Sequence, residues 1–205
     1  MRRMLKIYFS HPSIIALCLF FAALVVVIID RGLLQHHLPW LIAPVLLAPF
    51  YEWVAHKYLL HAKLPENPGP YRNFLIRLHH GHHRAPHNIQ LLFAPPMAII
   101  IALTKFYLIA CLLTASFTVA LVPFATCVLY YLYYEWVHLG HHVPEYKHLT
   151  PYGKMMKRAH MLHHHCNENY WWGITNNLAD LLFGTFKSHR EVEKSPTVKN
   201  LSASL

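Results

Sequence analysis

The sequence predicts an all-α integral membrane protein with about four transmembrane helices. Of its 205 residues, 55% are hydrophobic and only 13% charged, too apolar for a soluble domain of this size. The apolar residues also gather into runs long enough to cross about 30 Å of hydrocarbon as helix. A third observation concerns what borders those runs: most of the 19 histidines fall in four bunches beside them. The length leaves room for one membrane domain, residues 1–187, followed by a polar, basic stretch, 188–205, read as a flexible cytoplasmic tail.

The first run, about residues 13–30, ends at Asp30-Arg31-Gly32, an interfacial stop. Arg2, Arg3 and Lys6 in front of it would suit a cleaved signal peptide, but no convincing small-x-small site follows, so an uncleaved helix is expected. The second, about 38–60, contains Pro39, Pro44 and Pro49 and carries Glu52 and His56 near its far end. Prolines and ionisable groups there argue for a helix whose last turns leave lipid and enter a protein site. The stretch Met97–Val137 is about twice the needed length. It divides into spans at about 97–114 and 117–138, with a tight turn near Thr114–Thr118.

Positively charged loops stay on the cytoplasmic side, which gives an orientation. With four spans and the N-terminus inside, 16 of the 18 basic residues are cytoplasmic, and only Arg31 and Lys105 are left over. The same topology places all four histidine bunches on that face, although it rests on charge alone. Lys105, inside the third span, calls for snorkelling or a boundary error. The basic residues form no continuous stripe, so the net charge of +9 does not indicate nucleic acid. Cys18, Cys111, Cys127 and Cys166 show no zinc-type C-x2-C spacing and no disulfide framework.

The bunches read His56-x4-His61, His79-His80-x-His82-His83, His138-x2-His141-His142 and His160-x2-His163-His164-His165. Neutral imidazole is a strong ligand for first-row transition metals, and helical positions i, i+3 and i+4 project from one face. Each H-x2-H-H box is therefore expected to deliver two or three nitrogens to a shared centre. About ten well-placed histidines exceed what one ion uses, so two metals are expected over one. Glu52 and Glu135, each in the last turns of a span, would accept the second ring N–H of a liganding histidine and so fix its tautomer. His11, His36, His37, His87, His148 and His189 read as structural or surface residues, with His87 and His148 also able to support a ligand from behind. Tyr170, Trp171 and Trp172 line an acyl entrance or, the favoured reading, lie in the interfacial aromatic belt.

At these boxes the sequence resembles the fatty acid hydroxylase and sterol desaturase superfamily of membrane non-haem di-iron enzymes. The likeness covers roughly Tyr51–Phe186. It includes Glu52-x3-His56-x4-His61, His79-x2-His82-His83 before Leu92-Phe93-Ala94-Pro95-Pro96, and Glu135-x2-His138-x3-His142. It ends with His160-x2-His163-His164 leading to Trp172-Gly173-Ile174-Thr175 and Phe183-Gly184-Thr185. The resemblance implies metal ligands among His56, His61, His79, His82, His83, His138, His142, His160, His163 and His164. His80, His141 and His165 are set aside, His141 least securely. It also implies a four-helix membrane base with a cytoplasmic helical cap, two iron ions replaceable by zinc on purification, and O2 as co-substrate. A membrane lipid would be the substrate. A separate electron donor resembling cytochrome b5, ferredoxin or rubredoxin is expected, because the family's fused cytochrome b5 domain has no counterpart in this sequence.

The leading reading is O2-dependent hydroxylation of a lipid C–H bond, with a fatty acyl chain, oxidised near its carboxyl end, as first choice. A sterol or carotenoid hydroxylase, or a desaturase, uses the same metals. A metal transporter would instead place ionisable groups along the spans, and a structural scaffold leaves the boxes unexplained.

Overall fold

The structure, a computed structural model, describes residues 1–201; Ser202–Leu205, the end of the expected tail, and the side chain of His36 lie outside the described residues. All regular elements among the described residues are helical. In chain order they are α1 (Arg2–Ser10), α2 (Pro12–Asp30), α3 (Leu34–His37) and α4 (Pro39–Val54), which continues as a π-helical stretch, Ala55–Leu60. Next come α5 (Pro70–Leu75), a second π-helical stretch (Ile76–His80) and α6 (Gly81–Arg84). The long helices α7 (Pro96–Thr114), α8 (Leu121–His142) and α9 (Pro151–His165) follow, then the short α10 (Leu178–Leu182). Five of these helices begin on proline, at 12, 39, 70, 96 and 151, where the missing N–H is one that no helical partner would have satisfied.

The chain divides into two compact units. One comprises Arg2–Ala48 and Pro96–Trp136. Within it the Tyr8 hydroxyl donates to the Leu132 carbonyl at 2.6 Å, and its ring meets Trp136 edge-on at 5.2 Å. Phe124 packs on both Phe20 and Tyr107. The outward side chains of this unit are apolar: Leu19, Val26, Leu46, Leu112 and Phe117 are all more than 60% exposed. In water such a surface would aggregate, whereas hydrocarbon solvates it. Among the described residues, two segments, Pro12–Asp30 and Ile89–Thr114, are long and apolar enough to cross a membrane. The α7–α8 connection turns at Ala115, which takes a left-handed backbone with φ of 50°. The Thr114 hydroxyl, bonded to the carbonyls of Ala110 and Ser116, braces it. Lys105 lies at the middle of α7 and is exposed, so the helix boundaries do not account for it.

The other unit holds Pro49–Pro95 and Val137–Leu205 and contains every histidine box. Here α9 is fastened to the end of α8 by Lys157, whose ammonium donates to the carbonyls of Gly140, Val143 and Tyr146 at 2.9–3.0 Å. Gly140 lies in the last turn of α8, where carbonyls lack helical partners, and Val143 and Tyr146 lie just beyond it, so one cation ties three acceptors together.

Residues 189–201 depart from the expected flexible tail. Ser195, Val198 and Leu201 are buried, and Asn167 Nδ2 holds the Glu193 carbonyl at 3.0 Å. Part of the segment's polarity is spent on hydrogen bonds to the protein, which composition alone does not disclose.

At the start of α9 the Thr150 hydroxyl accepts from the Gly153 N–H at 3.0 Å, an N-cap for the helix that carries the last histidine box. Thr150→Ala is expected to cost about 1 kcal/mol and to lower the thermal midpoint by about 2–4 °C, read by differential scanning fluorimetry in detergent.

Candidate metal centre

Ten histidines converge in two groups of five: His56, His61, His79, His83 and His163, and His82, His138, His142, His160 and His164. Within each group the facing ring nitrogens lie within 4.8 Å of one another. Nine of the ten are at most 4% exposed, and His61 is half-buried. The groups adjoin, with the rings of His83 and His164 4.2 Å apart. These are the ten positions expected to ligate metal, and His80, His141 and His165 belong to neither group.

Each H-x2-H-H box brings two nitrogens to one group and its third to the other. His79 and His83 turn to the first group while His82 turns to the second; His160 and His164 join the second while His163 joins the first. The helix explains the division. Neighbouring residues are separated by about 100° on an α-helix, so positions i and i+4 share a face that i+3 does not quite reach. Each box therefore straddles two centres. His138 and His142, also four apart, stay together.

His56 and His61 are five apart, which on an α-helix would send them in different directions. The chain is π-helical there, and the His61 N–H bonds the His56 carbonyl at 3.1 Å, an i to i+5 link that brings both rings to one side. A second π turn precedes Gly81, whose N–H bonds the Ile76 carbonyl. A Cβ at Gly81 would stand 3.0 Å from that same oxygen, a tight contact that glycine avoids.

Three rings of the first group have their far nitrogens occupied. His56 Nδ1 lies 2.6 Å from the Trp172 carbonyl, His163 Nδ1 2.7 Å from Tyr170, and His83 Nδ1 3.1 Å from Val198. A carbonyl only accepts, so each Nδ1 carries the proton and each Nε2 presents a lone pair. Two of those Nε2 atoms face other Nε2 atoms: His56 to His79 at 3.0 Å, and His163 to His61, which also faces His79, at 3.2 Å. In the second group His142 Nε2 lies 3.1 Å from His82 and 2.8 Å from His160, which is 3.1 Å from His164.

Burial pushes His82 down to about 3 and, with neighbouring rings, holds His61, His79, His83, His160, His163 and His164 well below the ordinary imidazole value. The rings are therefore neutral at pH 7, as metal ligation requires. Packed, neutral lone pairs repel, and a cation among them removes the repulsion. Nitrogens at about 2.1 Å from one first-row ion would span up to about 4.2 Å, close to the spread of each group. The donor set fits two metals.

One loop, Tyr170–Thr175, supplies two of the orienting carbonyls and is itself fixed by two buried carboxylates. Asp180 accepts from the N–H groups of Trp172 at 3.0 Å and Gly173 at 2.7 Å, and from the Thr185 hydroxyl at 2.6 Å. Burial raises its pKa while these bonds oppose the rise. Trp53 donates to the same Thr185 hydroxyl at 2.9 Å, and Trp171 N–H to the Thr185 carbonyl at 3.1 Å. Between the two orienting carbonyls, Trp171 takes a left-handed backbone with φ of 57°. Such a conformation costs about 1–3 kcal/mol for a non-glycine residue and persists only where its surroundings enforce it.

Glu52 accepts from the N–H groups of Ile174 and Thr175 at 3.0 Å and from the Thr175 hydroxyl at 2.6 Å. It holds the loop rather than taking the ring N–H of His56, which the Trp172 carbonyl already takes. Glu135, in the other unit, accepts from the Tyr131 hydroxyl one turn earlier on α8. The aromatic residues also differ from the interfacial expectation. Trp171 and Trp172 are at most 2% exposed, and Trp172 stands 4.7–5.4 Å from the rings of His61, His163 and His56.

The surplus histidines have other partners. His80 Nε2 bonds the Ala62 carbonyl, and His141 lies between His148 and the Ile174 carbonyl, both of its ring nitrogens used. His165 stacks on His87. The sequence reading missed Asp180, although an aspartate in the apolar run Leu178–Phe183 is a signal of a buried, bonded carboxylate.

Residues 40–185 match the family model described as Fatty acid hydroxylase. The chain belongs to that family. It is 34% identical to mouse fatty acid 2-hydroxylase over 140 residues, covering 66% of this chain and 36% of that one. It is 30% identical to a dihydroceramide fatty acyl 2-hydroxylase of Arabidopsis thaliana over 158 residues, 76% of this chain and 64% of that one. The chain thus spans between about a third and two thirds of these curated relatives. A solved structure of full-length Scs7p, with only its hydroxylase domain visible, superposes with a TM-score of 0.69 at 25% identity, covering 85% of this chain and 67% of that one.

Gly173 permits the loop's path, because a Cβ there would lie 1.9 Å from the Asn176 carbonyl oxygen. Gly173→Ala is expected to destabilise by about 2–3 kcal/mol, whereas Gly69→Ala, with nothing within 4 Å, should change stability by no more than about 0.5 kcal/mol. Thermal unfolding of the two variants side by side checks the contrast.

Proposed function

We propose that this protein hydroxylates a C–H bond of a membrane lipid, most simply a fatty acyl chain near its carboxyl end, using O2 and two iron ions. The observation that carries the reading is the pair of adjoining five-histidine groups within a chain whose residues 40–185 match the fatty acid hydroxylase family. His56, His61, His79, His83 and His163 would hold one ion, and His82, His138, His142, His160 and His164 the other. Bound iron supplies the reduction of O2 and the oxidation of an unactivated carbon.

The protein's own contribution is positional. The carbonyls of Tyr170, Trp172 and Val198 keep the Nδ1 protons of His163, His56 and His83 and leave each Nε2 free to bind. Glu52 and Asp180 hold the loop that bears two of those carbonyls. Trp172 closes one side of the first group with apolar surface and keeps water from it. With ligands fixed in advance, little reorganisation accompanies reaction.

Four spans at about 13–30, 38–60, 97–114 and 117–138, with the boxes on the cytoplasmic face, agree with the charge distribution. On that face a donor of cytochrome b5, ferredoxin or rubredoxin type would deliver electrons. The curated relatives are named for 2-hydroxylation of fatty acyl groups, and this supports an acyl chain over a sterol or carotenoid.

Expression in a lipid-defined host followed by mass spectrometry of acyl chains, sterols and carotenoids tests the reading. Acyl chains bearing one added oxygen should accumulate with the parent protein and be absent with His163→Ala. Unchanged lipid pools in the presence of purified protein carrying about two metals per chain would contradict it.

A further inference from the structure

The segment beyond the family match reaches the metal centre. Residues 195–198 lie past residue 185, where that match ends, yet Val198 is 4% exposed and its carbonyl is the partner of His83 Nδ1 at 3.1 Å. His83 Nε2 is itself buried with no hydrogen-bond partner in the protein. The ring stands where the two groups meet, within 4.2–4.9 Å of His61, His79, His163 and His164. The ring belongs to the first group and stands at its boundary with the second.

What keeps the Val198 carbonyl there is a latch on Glu168, just after α9. The Ser195 hydroxyl donates to Glu168 Oε1 at 2.9 Å, and the Thr197 hydroxyl donates to the same oxygen. The Ser195 N–H bonds the Cys166 carbonyl at 2.8 Å, and the Thr197 N–H bonds the Ser195 hydroxyl at 3.2 Å. Glu168 is 4% exposed, so these bonds form away from competing water and are worth more than surface ones. Through this latch the loop after the last box is tied to the ring of a histidine in the second.

We propose that residues 195–198 are a strap, latched on Glu168, whose Val198 carbonyl fixes the tautomer and aim of His83, and that retention of the first metal depends on it. Val198 and the latch residues are positioning residues: none is placed to touch a metal or substrate. The inference rests on the two-metal reading above. Losing an orienting partner behind a metal-bound histidine typically costs about 10–100-fold in affinity, and the strap should matter on that scale.

The test uses the full chain in detergent, loaded with zinc, which binds imidazole without redox complication. Zinc per chain is counted, and its transfer to a chromophoric chelator is followed in time. In Ser195→Ala/Thr197→Val one of the two ions should leave about 10-fold faster than from the parent, the other at the parent rate, with helical content by circular dichroism unchanged. Ser195→Thr/Thr197→Ser, which keeps both hydroxyls, should restore parent kinetics. Parent-like release of both ions from the hydroxyl-free variant overturns the strap, and so does equal acceleration of both, which signals general loosening. If that variant does not fold, Thr197→Val alone, which leaves Ser195 on Glu168, is judged by the same criteria. A parent that binds fewer than two ions would instead overturn the two-metal reading, and the strap with it.

Discussion

A hydrogen bond from a ring N–H to a backbone carbonyl, made behind a histidine, is the constraint on which this site depends. An imidazole can offer either nitrogen, and its ring can turn; a carbonyl behind Nδ1 removes both freedoms. At His56, His163 and His83 the acceptors are Trp172, Tyr170 and Val198. Two of the three belong to one short loop, so much of the unit's polar architecture serves to hold that loop. Glu52 fixes one side of it and Asp180 the other, and Thr185 links Asp180 to Trp53 and to the Trp171 N–H. The left-handed Trp171 lies where this bracing is densest, which is where a costly conformation can be sustained.

Helical geometry then decides how ten rings become two groups. In both i, i+3, i+4 boxes the first and last rings go to one group and the middle ring to the other, so each box serves both groups. Where the spacing is five, a π turn restores a common face at His56 and His61. Divided boxes also mean that neither group can be built without the other's helices.

The sequence disclosed the residues but not their connections. Histidines at 79, 82, 83, 160, 163 and 164 stand out because imidazole is scarce beside apolar runs and the spacing repeats. Their division between two groups was hidden, since it depends on how helices are turned toward one another. Glu52 was recognisable as a buried carboxylate needing partners, but those partners are backbone N–H groups at residues 174 and 175, more than a hundred positions away. Trp172 read as an interfacial aromatic because aromatic clusters near spans usually are; its place against three histidines is set by the loop's path. Residues 188–201 differ from expectation for a related reason. Polar composition without periodicity describes a free tail and a strap equally well, because a strap held by hydroxyls and a carbonyl needs no apolar face.

The proposed centre holds two metals, each within imidazole ligands, at adjoining sites. X-ray absorption spectroscopy of the metal-loaded protein measures this most directly, since it reports the donor atoms and any nearby second metal. A first shell of about five nitrogen donors with imidazole outer-shell scattering, together with a metal–metal contribution, is the predicted result. A folded protein whose spectrum shows an isolated ion, or sulfur or carboxylate oxygen as the main donor, would contradict it.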